Sequence, residues 1–154
     1  MKVSTKGRNA LRLMIDIGMN SKDGSYVSLK AISVRQGISV KYLEQIVAPL
    51  TRAGMLRSAR GAQGGYRLKD DPKDYTAGQI LRAMEGSLAP IACLDFMPNE
   101  CDQYDACPTI EFWEGMNRVI TEYVDGVTLE ELINQQMRRS QRGGTLGCSG
   151  CKNA

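Results

Sequence analysis

The chain has 154 residues, 42% of them hydrophobic and 24% charged, with a net charge of +3 and no histidine. That is enough for one domain, or a small domain with an appended element, and it removes the commonest general base of catalysis. No apolar run approaches the roughly 18 residues of a membrane span and the charged N-terminus makes a poor signal peptide, so a cytoplasmic location without a membrane partner is expected.

The net charge is unevenly spread. Residues 1–75 hold 14 Lys/Arg against 6 Asp/Glu, and residues 76–154 hold 6 against 11. A basic first half suggests a polyanion partner, although two solvated faces of unequal charge would look the same. No nucleophile–base pair stands out, so an enzyme is not expected.

A first helix is predicted from about Thr5 to Met19, with Ala10, Leu13, Met14 and Ile17 on one stripe. Gly24 and Ser25 break the chain. Ser28 caps a short helix, LKAISVRQ, which Gly37 stops. Ser39 then caps VKYLEQIVAPLTRA, where Leu43, Ile46, Val47 and Leu50 recur at helical spacing and Pro49 threatens the last turn. After Gly54 come two strand-like runs, MLRSA and YRLKD, around the glycine-rich RGAQGG. Thr76 to Gln79 is a capping box opening a helix that closes at Gly86. Residues 87–107 show no periodicity. Pro108, suited to a first helical position, introduces a long helix striped by Phe112, Trp113, Met116, Val119, Ile120, Tyr123 and Val124. Thr128 to Glu131 is a second capping box, starting a last helix with Leu129, Leu132 and Ile133. The tail from Arg138 is polar and glycine-rich, with the features of disorder.

Two short helices joined at Gly37 and followed by a glycine-tipped ribbon describe a winged helix-turn-helix, mainly α with a small β-wing. The second helix of such a pair enters the major groove with its N-terminal residues near base edges. Here those residues are Ser39, Val40, Lys41, Tyr42, Glu44 and Gln45. Gln45 can pair with adenine, Glu44 can accept from cytosine and Lys41 can hold a phosphate or guanine. Polar residues on the outer face of any amphipathic helix would give the same pattern. The wing tips the balance towards DNA. Gly61, Gly64 and Gly65 allow a thin tip carrying Gln63, and Arg60 and Arg67 flank it, where an arginine can enter a narrow minor groove.

STKGRNALRLM, RQGISVKYLEQIVAPLTRAGML and RSARGAQGGYRL resemble the Rrf family of bacterial winged-helix transcription regulators, over about residues 1–137. The resemblance implies a homodimer, paired through the helix after Pro108, on a pseudo-palindromic operator in double-stranded DNA. The chain is expected to divide into a DNA-binding unit (1–86), a cysteine loop (87–107), dimerisation helices (108–137) and a tail (138–154), the tail lying outside the resemblance.

The loop CLDFMPNECDQYDACP carries Cys93, Cys101 and Cys107 among four acids, Asp95, Glu100, Asp102 and Asp105. From spacing alone an iron–sulfur cluster, zinc, a redox switch and a packing accident all stay open. A structural disulfide is disfavoured in a reducing compartment. The resemblance favours an iron–sulfur cluster, of the 2Fe-2S kind, because cluster-binding members carry three cysteines in this place. The fourth ligand departs from the family. A histidine of one branch is replaced by Ile110 here, and an aspartate of another by Arg8. The implied function is a regulator, a repressor by expectation, of iron–sulfur biogenesis or sulfur-metabolism genes, with operator binding modulated by the cluster. The alternative is a cluster-free repressor of cysteine metabolism acting through a protein partner such as cysteine synthase. An iron–sulfur scaffold without DNA binding is the third reading, against which the intact recognition helix and wing argue. Cys148 and Cys151, a C-x-x-C in the tail, suit metal ligation, dithiol cycling or neither.

Overall fold

In the computed structural model, which describes residues 3–21, 23–96 and 99–143, helix α1 spans Thr5–Asn20. Its cap is Ser4, whose hydroxyl accepts from the Gly7 N–H and donates to the Glu85 carboxylate at 2.6 Å. Ala10, Leu13, Met14 and Ile17 are buried along one face, as the periodicity requires. Helix α2 (Leu29–Gln36) is capped by Ser28 and ended by Gly37, whose φ of 66° is left-handed and cheap only for glycine. Helix α3 (Val40–Arg52) is capped by Ser39 and buries Leu43, Ile46, Val47 and Leu50. Pro49 stays inside it, because core packing of these residues outweighs one missing backbone hydrogen bond.

Strands β1 (Leu56–Ala59) and β2 (Gly65–Leu68) pair antiparallel, with Leu56 opposite Leu68 and Ala59 opposite Gly65. Val27, ahead of α2, exchanges two 2.9 Å backbone bonds with Tyr66 and so ties the wing to the helix pair. A Cβ on Gly65 would lie 2.3 Å from the Val27 carbonyl oxygen, so this approach admits no side chain. At the wing base the buried Tyr75 hydroxyl accepts from the Asp70 N–H at 2.7 Å and donates to the Met55 carbonyl at 3.1 Å.

Helix α4 (Ala77–Glu85) opens with the Thr76/Gln79 capping box, and α6 (Leu129–Gln141) with that of Thr128/Glu131. The two starts are joined: Ala77 N–H donates to Val127 and Leu129 N–H to Tyr75. Leu129 and Ile133 thereby enter the same core as α1, α2, α3 and Ile80. Helix α5 (Ile110–Gly126) buries none of its residues, and its Asp125 forms a bidentate pair with Arg82 of α4. It starts two residues after Pro108 rather than at it. Pro108 and Thr109 form a turn in which Ile110 N–H reaches back to the Cys107 carbonyl, leaving Thr109 as the cap. Among the described residues of 87–109 the regular structure is two short 3-10 turns, Ala92–Leu94 and Tyr104–Ala106. Among the described residues no helix is long and apolar enough to cross a membrane. Cys148 and Cys151 lie outside the described residues.

Candidate nucleic-acid interface

The start of α3 is presented outward because its opposite face is committed to the core. Ser39, Lys41, Glu44 and Gln45 are exposed, whereas Tyr42 is half-buried and packs against the core, so only its edge is available. The Ser39 hydroxyl accepts from the Tyr42 N–H at 3.3 Å, leaving its own proton free to donate. Val40 is 38% exposed on the same edge.

The wing follows α3, and its tip shares a cleft with Ser28, Ala31 and Arg35 of the α2 segment. Gly64 N–H closes the tip on the Gly61 carbonyl at 3.0 Å, and a Cβ on Gly64 would meet the Ala59 carbonyl oxygen at 2.3 Å. Arg60 and Gln63 are exposed at this tip. Arg67 is not free there, in contrast to the sequence expectation. Its guanidinium lies over the Tyr26 ring, 5.2 Å from the centroid, and reaches the Gly24 carbonyl at 3.4 Å. Strand alternation shows which face a residue takes, not that a long side chain will fold back along it.

A polar network sets the helix pair and was not legible in the sequence. Asp16 of α1, 4% exposed, takes Arg35 Nε at 3.1 Å, Arg35 Nη2 at 2.5 Å and Gln36 Nε2 at 2.9 Å. Arg12 in turn donates to the Gln36 carbonyl and side chain, both at 3.1 Å. The end of α2, immediately before the turn into α3, is thus clamped to α1. The only sequence signal was an acid inside an apolar run of a basic half.

The cysteine loop lies between α4 and α5. Cys93 is exposed, and Cys101 and Cys107 are half-buried. Asn99 brings two of them together, donating to the Cys93 carbonyl and accepting from the Cys101 N–H at 2.8 Å. Partial desolvation and the neighbouring Cys101 and Cys107 thiols push the Cys93 thiol up. The Thr109 hydroxyl, 3.5 Å from the Cys107 sulfur, and the adjacent backbone N–H groups hold the Cys107 thiol below its ordinary value. Tyr104 donates to Glu114, pinning the loop to α5. The four acids of the loop are exposed, and Ile110 offers no donor atom. Three thiols in one loop are the donor type that an iron–sulfur cluster takes. As they stand, though, no three Cys, Asp or Glu side chains among the described residues are gathered closely enough to hold a metal ion.

Two short helices joined at a left-handed glycine, an outward polar edge on the second, and a glycine-tipped ribbon following it make this a winged helix-turn-helix protein. The chain belongs to the Rrf2 family: the family described as "Iron-dependent Transcriptional regulator" matches residues 3–135. It is 40% identical over 134 residues to the transcriptional regulator CymR of Bacillus subtilis, covering 87% of this chain and 91% of that one. It is 36% identical over 136 residues to the regulator IscR of Klebsiella pneumoniae, covering 88% and 82%. The solved structure of B. subtilis CymR, described as the global cysteine regulator, superposes with a TM-score of 0.72 over 88% of this chain and 98% of that one. That of T. potens IscR gives 0.69 at 39% identity, covering 88% of each chain. The protein is accordingly a DNA-binding transcriptional regulator of the winged-helix type, and its relatives are regulators rather than enzymes.

Proposed function

We propose that the protein binds a pseudo-palindromic operator as a homodimer and that Cys93, Cys101 and Cys107 hold an iron–sulfur cluster, of the 2Fe-2S kind, that modulates this binding. In this reading residues 1–86 read DNA. Ser39, Lys41, Glu44 and Gln45 face the major groove, with the edge of Tyr42, while Arg60 and Gln63 follow the backbone or the minor groove. Residues 108–137 supply the dimer contact. Phe112, Met116, Val119 and Tyr123 form one exposed apolar face of α5, between 38% and 73% exposed, and such a face is covered in a stable protein. Trp113 packs edge-on against Phe112, 5.0 Å between centroids, and stiffens that face.

The observation that carries the cluster reading is the Asn99 bridge, which draws Cys93 and Cys101 together in a loop whose third thiol abuts the cap of α5. When bound, a cluster supplies sensitivity to iron, oxygen or nitric oxide. The chain's own part is to hold the loop against α5, through Tyr104 and Thr109, so that loop order and dimer geometry depend on each other. The reading extends to control of iron–sulfur biogenesis or sulfur-metabolism genes, and it is supported on the sulfur side by the solved relative described as the global cysteine regulator of B. subtilis. The visible spectrum of anaerobically purified protein tests the cluster. Iron–thiolate absorption beyond about 400 nm, lost in Cys101→Ser, is expected; a colourless, iron-free protein overturns it. A cluster-free regulator of cysteine metabolism, working through a partner protein such as cysteine synthase, is the second reading. It is favoured by the 40% identity to CymR and by the open arrangement of the three thiols.

A further inference from the structure

A cavity of about 460 Å³ opens between the C-terminal end of α1, the strand β2 with the turn after it, and α6. The walls come close at one point. A Cβ on Gly18 would sit 2.5 Å from Ile133 Cδ1, so α1 accepts a helix-weakening glycine there to let α6 approach. Leu68 and Ile133 line the apolar side. Charges of both signs line the rest. Arg67 and Lys69 come from β2 and its turn, Asp70 from the same turn, and Glu130 from the first turn of α6.

Lys69, Asp70 and Glu130 make no ion pair among the described residues. Arg67, stacked on Tyr26, has five N–H donors and spends one on a long 3.4 Å bond to Gly24, while its Nε is buried with no hydrogen-bond partner among the described residues. Ligand cavities of this size typically combine an apolar wall with a few placed polar groups. Cations from β2 and its turn, a carboxylate from α6 and the apolar Leu68 and Ile133 together match a molecule bearing a carboxylate, an ammonium and a small side chain.

We infer that this cavity is an effector site for a small zwitterion of the α-amino-acid class, its carboxylate directed to Arg67 and Lys69 and its ammonium to Glu130 and Asp70. Occupation would tie β2, the return strand of the wing, to α6. Only this regulatory consequence rests on the DNA-binding reading; binding itself does not.

The test uses the full chain without DNA. The standard L-amino acids, with propionate and propylamine as single-charge controls, are titrated by calorimetry and by amide NMR. At least one amino acid should bind at millimolar concentration or tighter, shifting the amides of Gly18, Leu68 and Asn134. Each single-charge control should bind about tenfold or more weaker, as should that amino acid to Glu130→Gln or Arg67→Lys. Asn134→Trp, which fills the cavity, should abolish the shifts. No amino acid moving those amides, equal binding of propionate or propylamine, or binding unchanged in Glu130→Gln would overturn the inference. If binding is found, the same amino acid should change affinity for operator DNA, and an unchanged affinity would remove the effector role while leaving the site.

Discussion

Breaking the Asp16–Arg35 pair should cost different amounts according to which partner is removed. The Asp16 side chain is 3% exposed and that of Arg35 35%. Arg35→Ala therefore strands a carboxylate in the core, with Gln36 at 2.9 Å and Asn20 at 3.4 Å as its remaining side-chain donors. Stranding a buried charge costs about 3–5 kcal/mol. Asp16→Ala strands a guanidinium that water can reach, so its cost is the lost hydrogen bonds and a small void, about 2 kcal/mol. The double variant should cost little more than Asp16→Ala, giving an interaction energy of about 2 kcal/mol or more. Urea unfolding followed by circular dichroism, at one protein concentration because dimerisation shifts the midpoint, measures all three. Asp16→Ala should also weaken operator binding, since it frees the end of α2 from α1. Equal costs, a larger cost for Asp16→Ala, or changes below about 0.5 kcal/mol would refute the reasoning.

Arg60→Ala should leave folding unchanged and lower DNA affinity, with the salt slope falling by about one if it meets a phosphate; unchanged affinity at low and moderate salt would exclude a wing contact. Val119→Glu, on the 63% exposed centre of the α5 face, should yield monomers by light scattering and weaken operator binding; a wild-type protein of single-chain mass would exclude the dimer. The Arg82 guanidinium, 2.7 and 2.9 Å from Asp125, holds that carboxyl below its usual 3.8. A depressed acid stabilises the fold above its unfolded value and loses that contribution as pH falls through the folded one. Asp125→Asn should thus cost about 0.5 kcal/mol near neutrality, the half-exposed pair being screened, and the difference should close below the usual carboxylate range.

The helices that could be read from sequence were those with a cap in one place and a stripe after it. Ser28, Ser39, Thr76 and Thr128 all cap where expected, because a side-chain acceptor and a following apolar period are local signals. Pro108 misled by two residues, since proline suits the turn ahead of a cap as well as the first helical position. The Asp16–Arg35–Gln36 clamp and the Asn99 bridge join residues 19, 20, 6 and 2 positions apart, the last two within an aperiodic loop, and no pattern rule links them. Arg67 was read as a cation flanking the wing tip, and its side chain lies over the ring of Tyr26 instead.

The central claim, that the cysteine loop governs DNA binding, is tested most directly by operator affinity measured without oxygen. Wild type and a variant with Cys93, Cys101 and Cys107 all changed to serine are titrated against the same pseudo-palindromic duplex and a scrambled control. Because the loop abuts the cap of α5 and none of the three cysteines lies in the wing or α3, the two proteins should share their affinity for the control. They should differ about tenfold or more on the operator, a gap of about 1.4 kcal/mol. Equal operator affinities, with iron present in the wild type, would contradict the account.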